Sequence, residues 1–243
     1  MNALFDFGKR YQNTYSSAPL AFLGQKQNML KVFFRVLNSH FQISDEMVFL
    51  DLFGGSGLLS HNLKCAYANN RVIYNDFDNY ASRLMPERMQ ILSEIQSFAN
   101  ELLKDYSKDR QMNDDEKAKL FAFIDKYPHE KIDFIQLSSW FCFSGRFYTN
   151  YEDFKKNAKY NRLSNKKLSA AGYLEGVERV AGDYRAIYQQ FKGEKLFLVL
   201  DPPYLQTIQN SYQMHFGLGE FLDLMDILRE AEIWILFSSE RSI

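Results

Sequence analysis

The sequence predicts an α/β fold in which a mostly parallel sheet, flanked by helices, is interrupted by a long and mainly helical insertion. Three observations carry this. Two short apolar runs, Met47 to Phe53 and Lys195 to Leu200, lack the polar alternation of a half-exposed strand and read as strands buried on both faces. The first runs straight into Gly54-Gly55-Ser56-Gly57 and a helix from Leu58 to Ala66, giving strand, glycine loop and helix in succession. From Phe77 to Gly176 the chain leaves this rhythm for about 100 residues, far more than a crossover between neighbouring parallel strands requires. The expected division is a sheet domain of residues 1–76 and 177–243 and an inserted subdomain of residues 77–176.

Composition bounds the function classes. With 46% hydrophobic and 24% charged residues among 243, the chain is an ordinary globular sequence and not a disordered one. Net charge is −1, so any surface facing phosphates must come from local clustering. Two cysteines and four scattered histidines form neither a disulfide framework nor a spaced metal site, so a reducing compartment and no metal are expected. No apolar run approaches the length of a membrane span, and the N-terminus lacks the pattern of a signal peptide, so no membrane association and a cytoplasmic location are expected.

In chain order, the first informative stretch is Ala18-Pro19-Leu20-Ala21-Phe22-Leu23-Gly24-Gln25-Lys26, ahead of an amphipathic helix from Met29 to Asn38. Glycine and lysine just before a helix suggest a loop approaching an anionic group; the plainer reading is a turn residue and a solvated charge. The strand Met47 to Phe53 carries Asp51 and Phe53 at its tip, and the glycines that follow let backbone come close to a ligand. Neither the full GxGxxG spacing nor the Gly-Lys-Ser/Thr of a P-loop is present. A third strand, Arg71 to Asn75, ends at Asp76, about 20 residues past the loop, where such folds place a carboxylate that accepts ribose hydroxyls. Asp78 is the alternative, and Asp76 is preferred because it sits directly at the strand end.

The insertion changes character halfway. Glu87 to Tyr127 is charged and helical in pattern, with Asp114-Asp115-Glu116 reading as solvated surface. Phe134 to Phe147 is aromatic, and from Arg146 to Lys167 seven basic residues stand against two acidic ones. Arg146, Lys155, Lys156, Lys159 and Arg162, interleaved with Tyr148, Tyr151 and Tyr160, suit phosphate contacts and base stacking, although a solvated basic helix would look similar.

The sheet resumes with Val177 to Ala181, and Gly182-Asp183-Tyr184 opens a helix from Arg185 to Phe191, with Asp183 placed either as an N-cap or as an acceptor for an amine. Lys195 to Leu200 then meets Asp201-Pro202-Pro203-Tyr204. Proline gives no N–H to a ladder, so the pair stops the strand and holds the backbone extended at its carboxyl tip, the edge where open α/β sheets bind ligands. A loop containing Thr207 and Tyr212, a helix from Glu220 to Ala231 and a strand from Ile233 to Ser239 complete the pattern.

Asp201-Pro202-Pro203-Tyr204 resembles motif IV of amino-methyltransferases, and Asp51-Leu52-Phe53-Gly54-Gly55-Ser56-Gly57, Asn75-Asp76 and the Pro19 to Lys26 stretch are similar to motifs I, II and X. Their order is that of Dam-like, alpha-class (D12 type) DNA adenine-N6 methyltransferases. The resemblance implies a Rossmann-like methyltransferase sheet with an inserted, mainly helical target-recognition subdomain, the cofactor S-adenosyl-L-methionine, and double-stranded DNA as partner. It implies that Phe22, Gly24, Lys26, Asp51, Phe53, Gly54, Gly55, Gly57, Asp76 and Asp183 hold the cofactor, the lysine near its carboxylate. Where relatives commonly carry a second glycine after Gly24, this chain has Gln25. The resemblance also implies that Asp201 and the Pro202 carbonyl receive the target amine, with Pro203 shaping the turn and Tyr204 stacking on a flipped base. Leu137 to Arg146 is similar to the recognition segment of the family, with Ser139, Ser144 and Tyr148 where relatives differ, so no recognition sequence is carried over. Relatives usually add a hairpin after the last strand, for which 243 residues leave no room; a non-catalytic DNA-binding module that keeps the fold is therefore the alternative expectation.

Overall fold

The computed structural model describes residues 14–103, 110–163, 166–203 and 216–238, and the chain folds into two compact units. The first comprises residues 1–18, 24–80 and 171–243; the second comprises 19–23 and 81–170.

The first unit is built on five strands that pair in parallel throughout: β1 (Val48–Asp51), β2 (Arg71–Asn75), β5 (Glu178–Val180), β6 (Leu196–Leu200) and β7 (Trp234–Leu236), ordered β5-β2-β1-β6-β7. β1 and the last four residues of β6 are buried without interruption, which is why they read as unbroken apolar runs. Alternate residues serve two faces. Leu50, Leu198 and Leu200 join a core with α8 (Tyr184–Phe191) and α9 (Leu218–Glu230) through Ile187, Leu224 and Leu228. Phe49 and Phe197 point the other way, their rings 5.3 Å apart, and meet Tyr67 and Phe41 at the ends of α2 (Leu58–Ala66) and α1 (Leu30–His40). Helices thus cover both faces. From β1 the chain steps outward through β2 to β5, then returns to the opposite side of β1 as β6 and β7, so the strand order reverses between β1 and β6.

Helix α3 (Tyr80–Arg83) carries the boundary between the units. The second unit then runs through α4 (Pro86–Leu102), β3 (Arg110–Gln111), α5 (Asp114–Ile124), α6 (Phe134–Phe141), α7 (Tyr151–Asn157) and β4 (Tyr160–Asn161), with β3 and β4 antiparallel. Asp114-Asp115-Glu116, expected as solvated surface, forms the first turn of α5, and Asn113 and Glu116 cap that turn reciprocally. The Pro19–Leu23 stretch packs within this unit: the Ala21 N–H donates to Gln136 Oε1 at 2.7 Å and its carbonyl accepts from Arg83 at 2.9 Å. Arg83 in turn grips Asp133, the N-cap of α6, at 2.6 Å. No helix of the described residues is long and apolar enough to cross a membrane, and no cluster of potential metal ligands occurs among them.

Candidate active site

The carboxyl tips of β1 and β6 flank the point where the strand order reverses, and each bears an aspartate: Asp51 ends β1, and Asp201 follows β6 directly. Ligands of open α/β sheets collect at such a crevice. Asp51 is 1% exposed. Its Oδ2 accepts from the Ser60 hydroxyl at 2.6 Å, while Oδ1 is buried with no hydrogen-bond partner. Burial raises its pKa to about 7, against the opposing Ser60 hydroxyl and with a further push from the Asp201 carboxylate. Asp201 is raised to about 6, again by burial, with Lys26 pulling it down. The Lys26 Nζ lies 2.6 Å from Asp201 Oδ2 and donates to the Gly24 carbonyl at 3.1 Å. Gly24 takes the left-handed conformation at φ 83°, and the Phe237 ring centroid is 5.9 Å from the ammonium. The Gln25 side chain, where relatives carry a glycine, accepts from the Ala18 N–H at 2.9 Å.

The glycine loop is held tightly by its own unit. A Cβ at Gly54 would stand 2.1 Å from the Tyr74 ring, and one at Gly57, where φ is +74°, 2.7 Å from Leu174. Gly55 is also left-handed. Bare backbone here is therefore a packing requirement, whatever else the loop does. The Tyr74 hydroxyl lies within bonding reach of both the Gly55 carbonyl, at 2.6 Å, and Asp76 Oδ1, at 2.9 Å, and so ties the loop to the tip of β2. Phe53 packs its ring 5.0 Å from Tyr184 and 5.7 Å from Phe216.

Asp76 is fully buried. It also accepts from the Tyr80 N–H and from Arg179 at 2.7 Å, so it reaches a ribose only where Arg179 yields an oxygen. Asp183 N-caps α8 and is gripped by Arg185, which holds its pKa below the usual carboxylate range. Oδ1 takes both the cap and the guanidinium Nε, and Oδ2 takes a second nitrogen of the half-exposed guanidinium, so Asp183 accepts from an amine only where Arg185 yields. Pro202 is buried and Pro203 half-buried. Tyr204, Thr207 and Tyr212 lie outside the described residues.

In the second unit Phe22 is half-buried, Arg146, Lys155, Lys156 and Lys159 are exposed, and Tyr148 and Arg162 are half-buried. Lys155 is not a free charge: it bonds the Tyr151 hydroxyl at 2.9 Å and lies over the Phe121 and Tyr151 rings. The basic stretch is also not one helix. α7 ends at Asn157, and Lys159 and Arg162 bracket β4, their N–H groups donating to Phe141 and Trp140 of α6.

Several contacts that matter here carry no signal in the sequence, even where, as at Asn75, the residue itself does. Ser60 holds Asp51 from the first turn of α2, Asn75 bonds both the Leu52 and Gly182 carbonyls across three strand tips, and Tyr173 donates to the Ser56 carbonyl. Leu174 adopts φ 62° while its N–H donates to His61 Nδ1. Only the flanking Gly172 and Gly176 hint at that strap.

The comparisons with known proteins point the same way. A family described as D12 class N6 adenine-specific DNA methyltransferase matches residues 22–221. A Haemophilus influenzae protein described as "Putative methyltransferase" is 35% identical over 243 residues, an alignment that covers 97% of this chain and 80% of that protein.

Proposed function

The chain belongs to the D12 class N6 adenine-specific DNA methyltransferase family, and on that basis we propose that it transfers a methyl group from S-adenosyl-L-methionine to the N6 amine of adenine in double-stranded DNA. The observation that carries this reading is the pair of aspartates at the β1–β6 reversal, one buried with an orphaned oxygen and the other, half-buried, leading into a proline pair.

The residues suit that donor. Asp51 Oδ1 is a buried acceptor waiting for a cation, which the ammonium of an amino-acid tail supplies. Asp76 and Asp183 are the acceptors for the ribose and the adenine of the same molecule, and Gly24, Phe53 and the glycine loop frame it. When bound, S-adenosyl-L-methionine supplies an electrophilic methyl group on a sulfonium.

The chain's own residues must make a poor nucleophile attack. The lone pair of an adenine N6 amine is shared with the ring, so the site has to localise it. Asp201 and the Pro202 carbonyl each accept one N6–H bond, which favours a tetrahedral nitrogen. Their dipoles also stabilise the positive charge that develops there. The amine is out of reach inside a stacked duplex, so the base is extruded, and Tyr204 offers a ring face to receive it. The exposed Arg146, Lys156 and Lys159 supply phosphate contacts.

The test is product chemistry. Duplex DNA incubated with the purified protein and labelled cofactor, then digested to nucleosides, is expected to carry the label in N6-methyldeoxyadenosine. Label in a cytosine derivative would contradict the substrate. Cofactor binding with no labelled DNA of any sequence would favour a non-catalytic module.

A further inference from the structure

On the methyl-transfer reading, Asp201 is useful only as a carboxylate, because a protonated carboxyl has turned one acceptor oxygen into a donor. Its surroundings press the other way. The charged groups that face it among the described residues are Lys26, from the segment ahead of α1, and Asp51, from the tip of β1. Burial favours the neutral acid and lifts its pKa to about 6. Against it stands the Lys26 side chain, 13% exposed, whose ammonium lies 2.6 Å from an acid that is 17% exposed, close enough and dry enough to offset part of that shift. That ammonium is itself fixed, by the Gly24 carbonyl on one side and the Phe237 ring on the other.

We propose that Lys26 is a positioning residue for methyl transfer: it holds Asp201 ionised and aimed before the target amine arrives, then yields one Asp201 oxygen to that amine. The sequence resemblance implies a lysine near the cofactor carboxylate, and that task alone needs no buried acid as partner. Here the same side chain serves the acceptor of the substrate. The pair also explains why a loop before α1 must be placed accurately, since a lysine displaced from Asp201 leaves that acid with its counter-charge removed.

Carboxyl-carbon NMR titration of the full chain tests this, with Asp201→Asn identifying the resonance. In Lys26→Gln the Asp201 midpoint is expected to rise by about 1 to 3 pH units, the scale of a lost opposite charge, and in Lys26→Arg to stay near the wild-type value. A midpoint that is unchanged or lower in Lys26→Gln overturns the proposal. Lys26→Met, which keeps an unbranched side chain, carries the same comparison if the glutamine variant does not fold. Single-turnover transfer to duplex DNA at saturating cofactor gives a second readout. The acidic limb of the pH–rate profile is expected to move up with the midpoint, and the rate to recover towards wild type at alkaline pH. A raised cofactor KM with an unmoved limb would also overturn it. Absence of transfer by the wild-type chain would strike the methyl-transfer reading alone, because the carboxyl titration decides the ionisation of Asp201 by itself.

Discussion

Asp51 keeps a buried oxygen with no hydrogen-bond partner among the described residues, and a fold selected for stability alone would have no use for it. Its cost depends on pH. With the folded pKa raised from 3.8 to about 7, the folded chain holds a proton that the unfolded chain releases, so the stabilisation is full below pH 3.8 and is lost as pH rises through 7. The shift corresponds to about 4 kcal/mol between those limits. Urea unfolding is therefore expected to show lower stability at pH 8 than at pH 5. Asp51→Asn should flatten that difference while weakening calorimetric binding of S-adenosylhomocysteine, whose ammonium would face an uncharged amide. Equal wild-type stability at the two pH values would contradict the assignment.

At the level of secondary structure, the glycine loop and the strap around Leu174 behave as one piece. Gly57→Ala places a Cβ 2.7 Å from Leu174 in a backbone at φ +74°, and the left-handed conformation alone costs about 1 to 3 kcal/mol. Denaturant midpoints should show Gly57→Ala destabilised, with Leu174→Ala in the same chain relieving the contact but not the backbone strain. An additive double variant would contradict the contact. The anchor of Pro19–Leu23 is as exacting: Arg83→Ala leaves Asp133, at 3% exposure, charged and unpaired, a loss of about 3 to 5 kcal/mol in the second unit, read by urea unfolding. These contacts also mark what the sequence makes legible. Helix α2 from Leu58 to Ala66 and strand β2 from Arg71 to Asn75 have the bounds that periodicity and glycine placement predict, because local chemistry sets both. The ladder of β3 and β4 shows no such signal, since two residues cannot display a period. The anchoring of Ala21 by Gln136 is hidden for another reason: the partners lie 115 residues apart, and nothing local requires them to meet. Lys26 and Asp201 are each legible, one before a helix and the other after a strand, but their pairing is not.

For the protein in its entirety, net charge is −1, and the proposed function assigns DNA affinity to the exposed cations of the second unit. Neutralising Arg146, Lys156 and Lys159 should weaken binding to every sequence and flatten its salt dependence by about 0.9 in log–log slope per lost phosphate contact. Lys155→Gln should change the slope less, since its ammonium is held over the Phe121 and Tyr151 rings. Filter-binding titrations at several salt concentrations measure both, and an unaltered slope in the triple variant would mean that these cations do not meet the phosphates. The topology does more than charge: a sheet whose order reverses between β1 and β6 brings Asp51 and Asp201 to one crevice, where one suits the donor and the other the target amine. The most direct test is single-turnover transfer of labelled methyl from S-adenosyl-L-methionine to duplex DNA by the wild type and by Asp201→Asn. We expect N6-methyladenine from the wild type and a loss of about a hundredfold or more in the variant, the scale of one missing transition-state stabiliser, with cofactor binding intact; transfer at the wild-type rate by Asp201→Asn would refute the role given to that carboxylate.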